Sequence, residues 1–315
     1  MRTAANQLYF GPHSAAQLCE RYGTPLYVYE EEILRRQARE LVGCFSYRPF
    51  RVHYAMKANF NPAILRILHE EGCGADTVSD LEVRLGLEVG MKPEEIIFTG
   101  DNSTDEEMLA CHDQGVIVNA GSLSQLDRLG RLRPGARVSV RINPDVGAGH
   151  HSHCITGGPH TKFGIYHDLL PEILALVQRH RLALVGIHCH IGTGILDAAK
   201  FLEAMDITLG VARKVPGLEF VDFGGGLGIA YREEQQPLDL REFGARVSRH
   251  FEKFCGEYGK PLELKIEPGR FLVCQAGTLL ARVNTLKDTP AHHFVGCDTG
   301  FNHLIRPNQH CPRDR

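Results

Sequence analysis

At 315 residues, 43% hydrophobic and 23% charged, the chain is long enough to bury one large core or two modest ones. A formal net charge of −3 with no Lys/Arg-rich run argues against a nucleic-acid backbone or an anionic membrane as partner, and small-molecule chemistry is the expectation. The stretch MRTAANQLYFGPHS lacks the apolar segment of a signal peptide, no run approaches membrane-spanning length, and ten cysteines form no C-x-x-C pair, so a cytoplasmic chain with reduced thiols is expected.

From about residue 50 to residue 270, strand-like and helix-like runs alternate. The predicted strands are RVHYA (51–55), ADTVS (75–79), IIFTG (96–100), VIVNA (116–120), RVSVRIN (137–143), LVGIHCHI (184–191), FVDFGGG (220–226) and ELKIEPG (263–269). Between them, segments such as NPAILRILHEEG and LLPEILALVQRHRL repeat their apolar residues at helical spacing. Eight such units predict an α/β fold of the (β/α)₈ barrel kind. A doubly wound sheet is the alternative, but its glycine-rich turn belongs after the first strand and here the glycines follow the seventh.

Active sites of (β/α)₈ barrels lie at the carboxyl ends of the strands. Lys57 falls two residues past the first predicted strand. Asp76, Arg141, His190, the run Gly224, Gly225 and Gly226, and Glu267 with Arg270 fall at or beyond other strand ends. The glycines in DFGGGLGI offer backbone N–H groups for a phosphate, although the stretch is neither a Walker loop nor a G-x-G-x-x-G turn. IEPGR on the eighth strand adds a carboxylate and a guanidinium, and phosphate sites after strands 7 and 8 recur in this fold. A lysine, a phosphate cradle and a carboxylate at one mouth suggest pyridoxal phosphate, held through Lys57 with Glu267 on the pyridine nitrogen. A carboxylate partner keeps that nitrogen protonated and so favours decarboxylation over racemisation.

GIHCHIG places His188 and His190 on one face of a strand with Cys189 opposite, and GHHSHC (149–154) is also rich in ligand types. A metal-dependent hydrolase is therefore the rival class. Its H-x-H belongs on the first barrel strand and its lysine on the fourth, the reverse of the order here, which leaves a core histidine as the plainer reading of His188.

Taken together, YAMKAN, GADTVSDLEV, RINPDV, TKFGI, HCHIGT, DFGGGLG, EPGR and DTGFNHLIRP resemble the fold-type III pyridoxal phosphate-dependent decarboxylases, in family order from residue 50 to residue 307. RINPDV, the loop into KFGI and GFNHLIRP lean toward the branch acting on diaminopimelate over those acting on ornithine or arginine. The resemblance implies that Lys57 forms the Schiff base, His190 stacks on the cofactor ring, Thr193 with Gly224, Gly225 and Gly226 holds the phosphate, and Glu267 meets the pyridine nitrogen. Asp76 and Arg141 would support ring and lysine, while Arg270 and Arg306 would face substrate carboxylates. The implied reaction is decarboxylation of meso-diaminopimelate to lysine, by a homodimer whose sites borrow residues across the interface.

It also implies a barrel (33–275) joined to a β-rich domain made from an N-terminal part (1–32) and the start of a C-terminal part (276–315). The latter is expected to be cut short, because NQHCPRDR follows LIRP where the family continues with a substrate tyrosine, a Cys-Glu segment and a later tyrosine. SDLEV in place of S-x-G-E-L is a smaller departure. An active decarboxylase, a cofactor-binding relative without turnover, a decarboxylase of another basic amino acid and the metal hydrolase are the readings to separate.

Overall fold

Each of the eight apolar runs forms a parallel strand in the computed structural model, which describes residues 1–4, 6–149, 156–231 and 234–304. In chain order these are β1 (Phe50–Ala55), β2 (Gly74–Thr77), β3 (Ile96–Phe98), β4 (Ile117–Ala120), β5 (Arg137–Asn143), β6 (Ala183–Cys189), β7 (Phe220–Asp222) and β8 (Glu263–Ile266). Each pairs with the next, and β8 pairs with β1 through Leu264 opposite Phe50, so the sheet closes as a barrel. Covering helices bury the outer face and closure buries the inner one. The strands consequently read as nearly continuous apolar runs: Val138 to Asn143 and Leu184 to Cys189 are buried without a break.

The helices after the first seven strands are α1 (Pro62–Glu70), α2 (Asp80–Glu88), α3 (Asp105–His112), α4 (Leu123–Leu132), α5 (Leu170–His180), α6 (Ala198–Ala212) and α7 (Leu240–Tyr258), and the short α8 (Arg270–Val273) follows β8. Capping fixes where most of them start. Asn61, Ser79, Thr104, Ser122, Asp197 and Asp239 each accept a backbone N–H of the first turn, and Thr104 with Glu107 completes a capping box. SDLEV thus serves as a helix start, with Ser79 as the cap.

Five strands end earlier than predicted. ADTVS leaves the ladder after Thr77, IIFTG after Phe98, LVGIHCHI after Cys189, FVDFGGG after Asp222 and ELKIEPG after Ile266. Gly224 at φ +65° cannot continue a strand, and Pro268 has no N–H to give a ladder. These early exits release the residues that shape the mouth.

The barrel interior is filled in register rows. Arg141, His188, Asp222 and Lys265 lie side by side on β5 to β8, and one row below them run Ser139, Gly186 and Phe220. The Phe220 ring occupies the space that Gly186 leaves, and the Lys265 ammonium sits 3.9 Å from its centroid. A Cβ on Gly186 would meet Phe220 Cζ at 2.1 Å. Gly186→Ala is therefore expected to destabilise the protein by about 1–3 kcal/mol through overpacking, measurable as a lower denaturation midpoint.

The chain divides into two compact units, Leu34–Val273 and a second made of Met1–Ile33 with Cys274–Arg315. In the second, Arg2–Ala4, Gln7–Phe10 and His13–Ser14 form an antiparallel sheet, and Leu26–Tyr29 pairs antiparallel with Gly277–Leu280. Val283–Asp288 and His293–Cys297 make a further antiparallel pair. No described helix is long and apolar enough to cross a membrane.

Candidate active site

YAMKAN turns sharply where β1 ends. Met56–Ala58 is a single 3₁₀ turn, held by the buried Tyr54 hydroxyl donating to the Asn59 carbonyl at 2.9 Å. The Ala55 N–H donates to the Pro268 carbonyl at 3.3 Å, and a Cβ on Gly269 would lie 3.1 Å from Ala58 Cβ, so the turns after β1 and β8 pack closely. Lys57 is thereby held at the carboxyl end of the barrel, within reach of Asp76 on β2.

Its Nζ lies 2.8 Å from Asp76 Oδ2, with the lysine side chain 51% exposed and the aspartate 1%. Burial of the amine favours its neutral form, but the carboxylates of Asp76 and Glu267 outweigh this and hold the ammonium pKa above its ordinary value. Lys57 and Asp76 line a cavity of about 280 Å³ with Val78, Thr99, Asp101, Arg141, Thr156, Lys162, Phe163, His188, His190 and Glu267.

Arg141 is buried with its guanidinium 4.8 Å from the Phe163 centroid; burial lowers its pKa against the opposing pull of Asp101, Glu267 and Asp76. Phe163 comes from a loop that Asn143 staples to the end of β5. The Asn143 amide donates to the carbonyls of Gly158 and Phe163 at 3.0 and 3.2 Å, and its oxygen accepts the Gly158 N–H at 2.9 Å. Gly164 closes this loop at φ +77°, a left-handed conformation that glycine adopts without strain.

His190 accepts the Gly225 N–H on Nδ1 at 3.1 Å, which leaves its proton on Nε2. Burial, then the cations of Arg141 and Lys57, hold its pKa well below the ordinary value, so the ring is neutral. His188 Nε2 is 2.9 Å from Glu267 Oε2, and both side chains are almost fully buried. Burial pushes Glu267 up to about 8, with Asp76 adding to the effect.

Of the residues named from sequence, the structure gathers Lys57, Asp76, Arg141, His190 and Glu267 around the cavity. Thr193, Gly224, Gly225, Gly226 and Arg270 are outside its lining. The two segments foreseen for phosphate do come together, since a Cβ on Gly226 would meet the Gly192 carbonyl at 2.4 Å. Two of the three glycine N–H groups are already engaged, Gly224 with Asp222 Oδ1 at 2.9 Å and Gly225 with His190, so they shape the site more than they cradle an anion. Arg270 keeps Nη1 buried without a hydrogen bond. Arg306 and residues 150–154 of GHHSHC lie outside the described residues.

These groups fit pyridoxal phosphate. Glu267 Oε1 is a buried acceptor without a partner, suited to a protonated ring nitrogen, and Arg270 Nη1 is a buried donor without one, suited to an anion. His188 is more than a core histidine, for it bonds Glu267 and borders the cavity. Thr99, Asp101, Thr156, Lys162 and Phe163 went unnamed as site residues, although Thr99 ends a predicted strand and Lys162 and Phe163 lie within TKFGI.

Residues 31–274 match the model of the pyridoxal-dependent decarboxylase family, pyridoxal-binding domain. The chain is 45% identical to a diaminopimelate decarboxylase of Methanothermobacter thermautotrophicus, over 95% of this chain and 72% of the relative. It is 36% identical to the Escherichia coli K12 protein of that name, over 92% of this chain and 69% of the other. Among solved structures, diaminopimelate decarboxylase from M. jannaschii in co-complex with L-lysine superposes with a TM-score of 0.89 at 30% identity, covering 98% of this chain and 75% of that one.

Proposed function

The chain belongs to the pyridoxal-dependent decarboxylases, and from that premise we propose that it converts meso-2,6-diaminopimelate to L-lysine and carbon dioxide, the last step of lysine formation. The observation that carries this reading is the joint placement of Lys57, Asp76, His190 and Glu267 around one cavity, in a chain 45% identical to a diaminopimelate decarboxylase. A solved relative holding L-lysine supports the choice of product.

Bound pyridoxal phosphate supplies the electron sink that accepts the pair released when the carboxylate leaves. Lys57 would hold the cofactor through Nζ, with Asp76 Oδ2, 2.8 Å away, orienting the amine. A Lys57 amine freed from the cofactor and held as an ammonium by Asp76 and Glu267 would be placed to give a proton to the substrate carbon. Glu267 would hold a proton on the ring nitrogen, which would keep the sink strong. His190, neutral and fixed by Gly225, would offer a flat face to the ring, and Asp76 and Arg141 would support the lysine and the ring from their strand ends. Thr193 with Gly224, Gly225 and Gly226 would shape the phosphate end, and Arg270 would face a substrate carboxylate, where a planar guanidinium pairs in bidentate fashion; the same role is expected of Arg306, which lies outside the described residues. In this reading the enzyme is cytoplasmic, as suits eight described cysteines that are all free thiols, and works as a homodimer.

Purified protein loaded with pyridoxal phosphate is expected to turn yellow and to release carbon dioxide from meso-diaminopimelate. Colour without gas from any diamino acid would overturn the activity and leave a binding protein. Gas from ornithine or arginine instead would overturn the substrate. Light scattering on the same sample tests the dimer.

A further inference from the structure

Glu267 does not stand alone inside the barrel. His188, Asp222 and Glu267 are 0%, 0% and 5% exposed and bring one ligand-type atom each within 4.8 Å of one another. They come from β6, β7 and the end of β8, with His188 and Asp222 opposite each other in the register. His188 Nε2 bonds Glu267 Oε2 at 2.9 Å, and Asp222 Oδ1 accepts the Gly224 N–H at 2.9 Å. Three buried atoms are left without partners: His188 Nδ1, Asp222 Oδ2 and Glu267 Oε1. Buried polar atoms of this kind are ordinarily paired, and three from one cluster point to a shared task.

We propose that His188 is a positioning residue for the cofactor's ring nitrogen: its Nε2–H pins Glu267 Oε2 so that Oε1 meets that nitrogen. The inference rests on Glu267 being the ring nitrogen's partner. A carboxylate can face a ring squarely only when its rotation is fixed, and a neutral N–H donor fixes it without cancelling its charge.

The electrostatics agree with the geometry. Burial pushes the His188 imidazole down to about 4, so at neutral pH it is an uncharged donor. Burial, then Glu267, pushes Asp222 well above the usual carboxylate range, so the aspartate does not crowd the triad with a second full negative charge. Donation then runs from His188 Nε2–H to Glu267 Oε2, and a protonated ring nitrogen would donate to Glu267 Oε1. No proton changes owner along this chain. The other charged groups acting on the triad are Lys57 after β1, Asp76 on β2, Arg141 on β5 and Lys265 on β8, and His190 is a neutral neighbour. An imidazolium at His188 would be a second cation behind Glu267 and would weaken its hold on a protonated ring.

The test loads wild type, His188→Leu, His188→Gln and Glu267→Gln with pyridoxal phosphate labelled with nitrogen-15 in the ring and follows the ring-nitrogen shift against pH. His188→Leu is expected to lower the nitrogen's proton affinity by about tenfold or more, the scale of one hydrogen bond to a charged group. His188→Gln, whose amide N–H can stand where Nε2–H stands, is expected to restore most of it. If Glu267→Gln lowers the affinity and His188→Leu does not, the inference fails while the role of Glu267 survives. If Glu267→Gln also leaves it unchanged, the reading of Glu267 fails. Should His188→Leu not fold, imidazole nitrogen-15 spectra of the cofactor-loaded wild type decide. A neutral Nε2–H tautomer at neutral pH is expected, and an Nδ1–H tautomer or an imidazolium overturns the inference.

Discussion

In the Lys57→Ala protein, added pyridoxal phosphate will give no visible band of covalently held cofactor, and decarboxylation will fall by at least about 10³-fold, the order that a positioned proton-transfer group supplies. Among the described residues lining the cavity, Lys57 and Lys162 carry the amines, and Lys162 is packed 5.1 Å from the Phe163 centroid while Lys57 reaches Asp76 at 2.8 Å. A residual band in the variant would make Lys162 the attachment point. The substitution also leaves Asp76, 1% exposed, without its ion partner. That cost is about 1–3 kcal/mol, toward the low end because Lys57 itself is half exposed and water can replace it. Urea unfolding of the cofactor-free variant measures it, and Lys57→Ala with Asp76→Asn should recover part of the loss.

Glu267→Gln should still bind the cofactor, since attachment runs through Lys57, but turnover will drop by about 10²- to 10³-fold, as when one charge-stabilising group is removed from an active site. The same variant has a signature in stability. In the folded, cofactor-free protein Glu267 is raised from 4.5 to about 8, so it keeps a proton that the unfolded chain has released, and stability falls as pH rises through that interval. His188 acts in the opposite sense. Its lowering from 6.5 to about 4 means that stability is lost as pH falls from 6.5 toward 4. The two oppose each other below pH 6.5; between 6.5 and 8 the glutamate continues, with Asp222, also raised by burial, acting in the same sense. The glutamate's share of the decline there is about 2 kcal/mol at most, since one pKa unit is worth about 1.4 kcal/mol. Glu267→Gln should remove that share, and denaturation midpoints taken across this range check it.

Much of this site is legible along the chain because a (β/α)₈ barrel concentrates its chemistry at strand ends. A charged residue near or just past the carboxyl end of a strand-like run is a local signal, and Lys57, Asp76, Arg141 and Glu267 each carry it. Thr99 and Asp101 sit in the same kind of place, but short polar residues after a strand look like turn and cap formers, so their presence in the cavity wall left no distinct trace. His188, buried and bonded as a core histidine would be, gives no further signal for a related reason: inside a strand, alternation reveals only which face a side chain takes.

By itself the sequence determined the eight alternating units, the apolar strands buried on both faces, the capped helix starts and the lysine and carboxylates at the mouth, because periodicity, caps and strand ends are written in neighbouring residues. Only the tertiary structure decided that His188 meets Glu267 across 79 positions, that Phe220 fills the space beside Gly186, and that the Gly225 N–H serves His190. Those pairings depend on the register in which eight strands close, and that register is set by the packing of the whole interior at once, which no local pattern records.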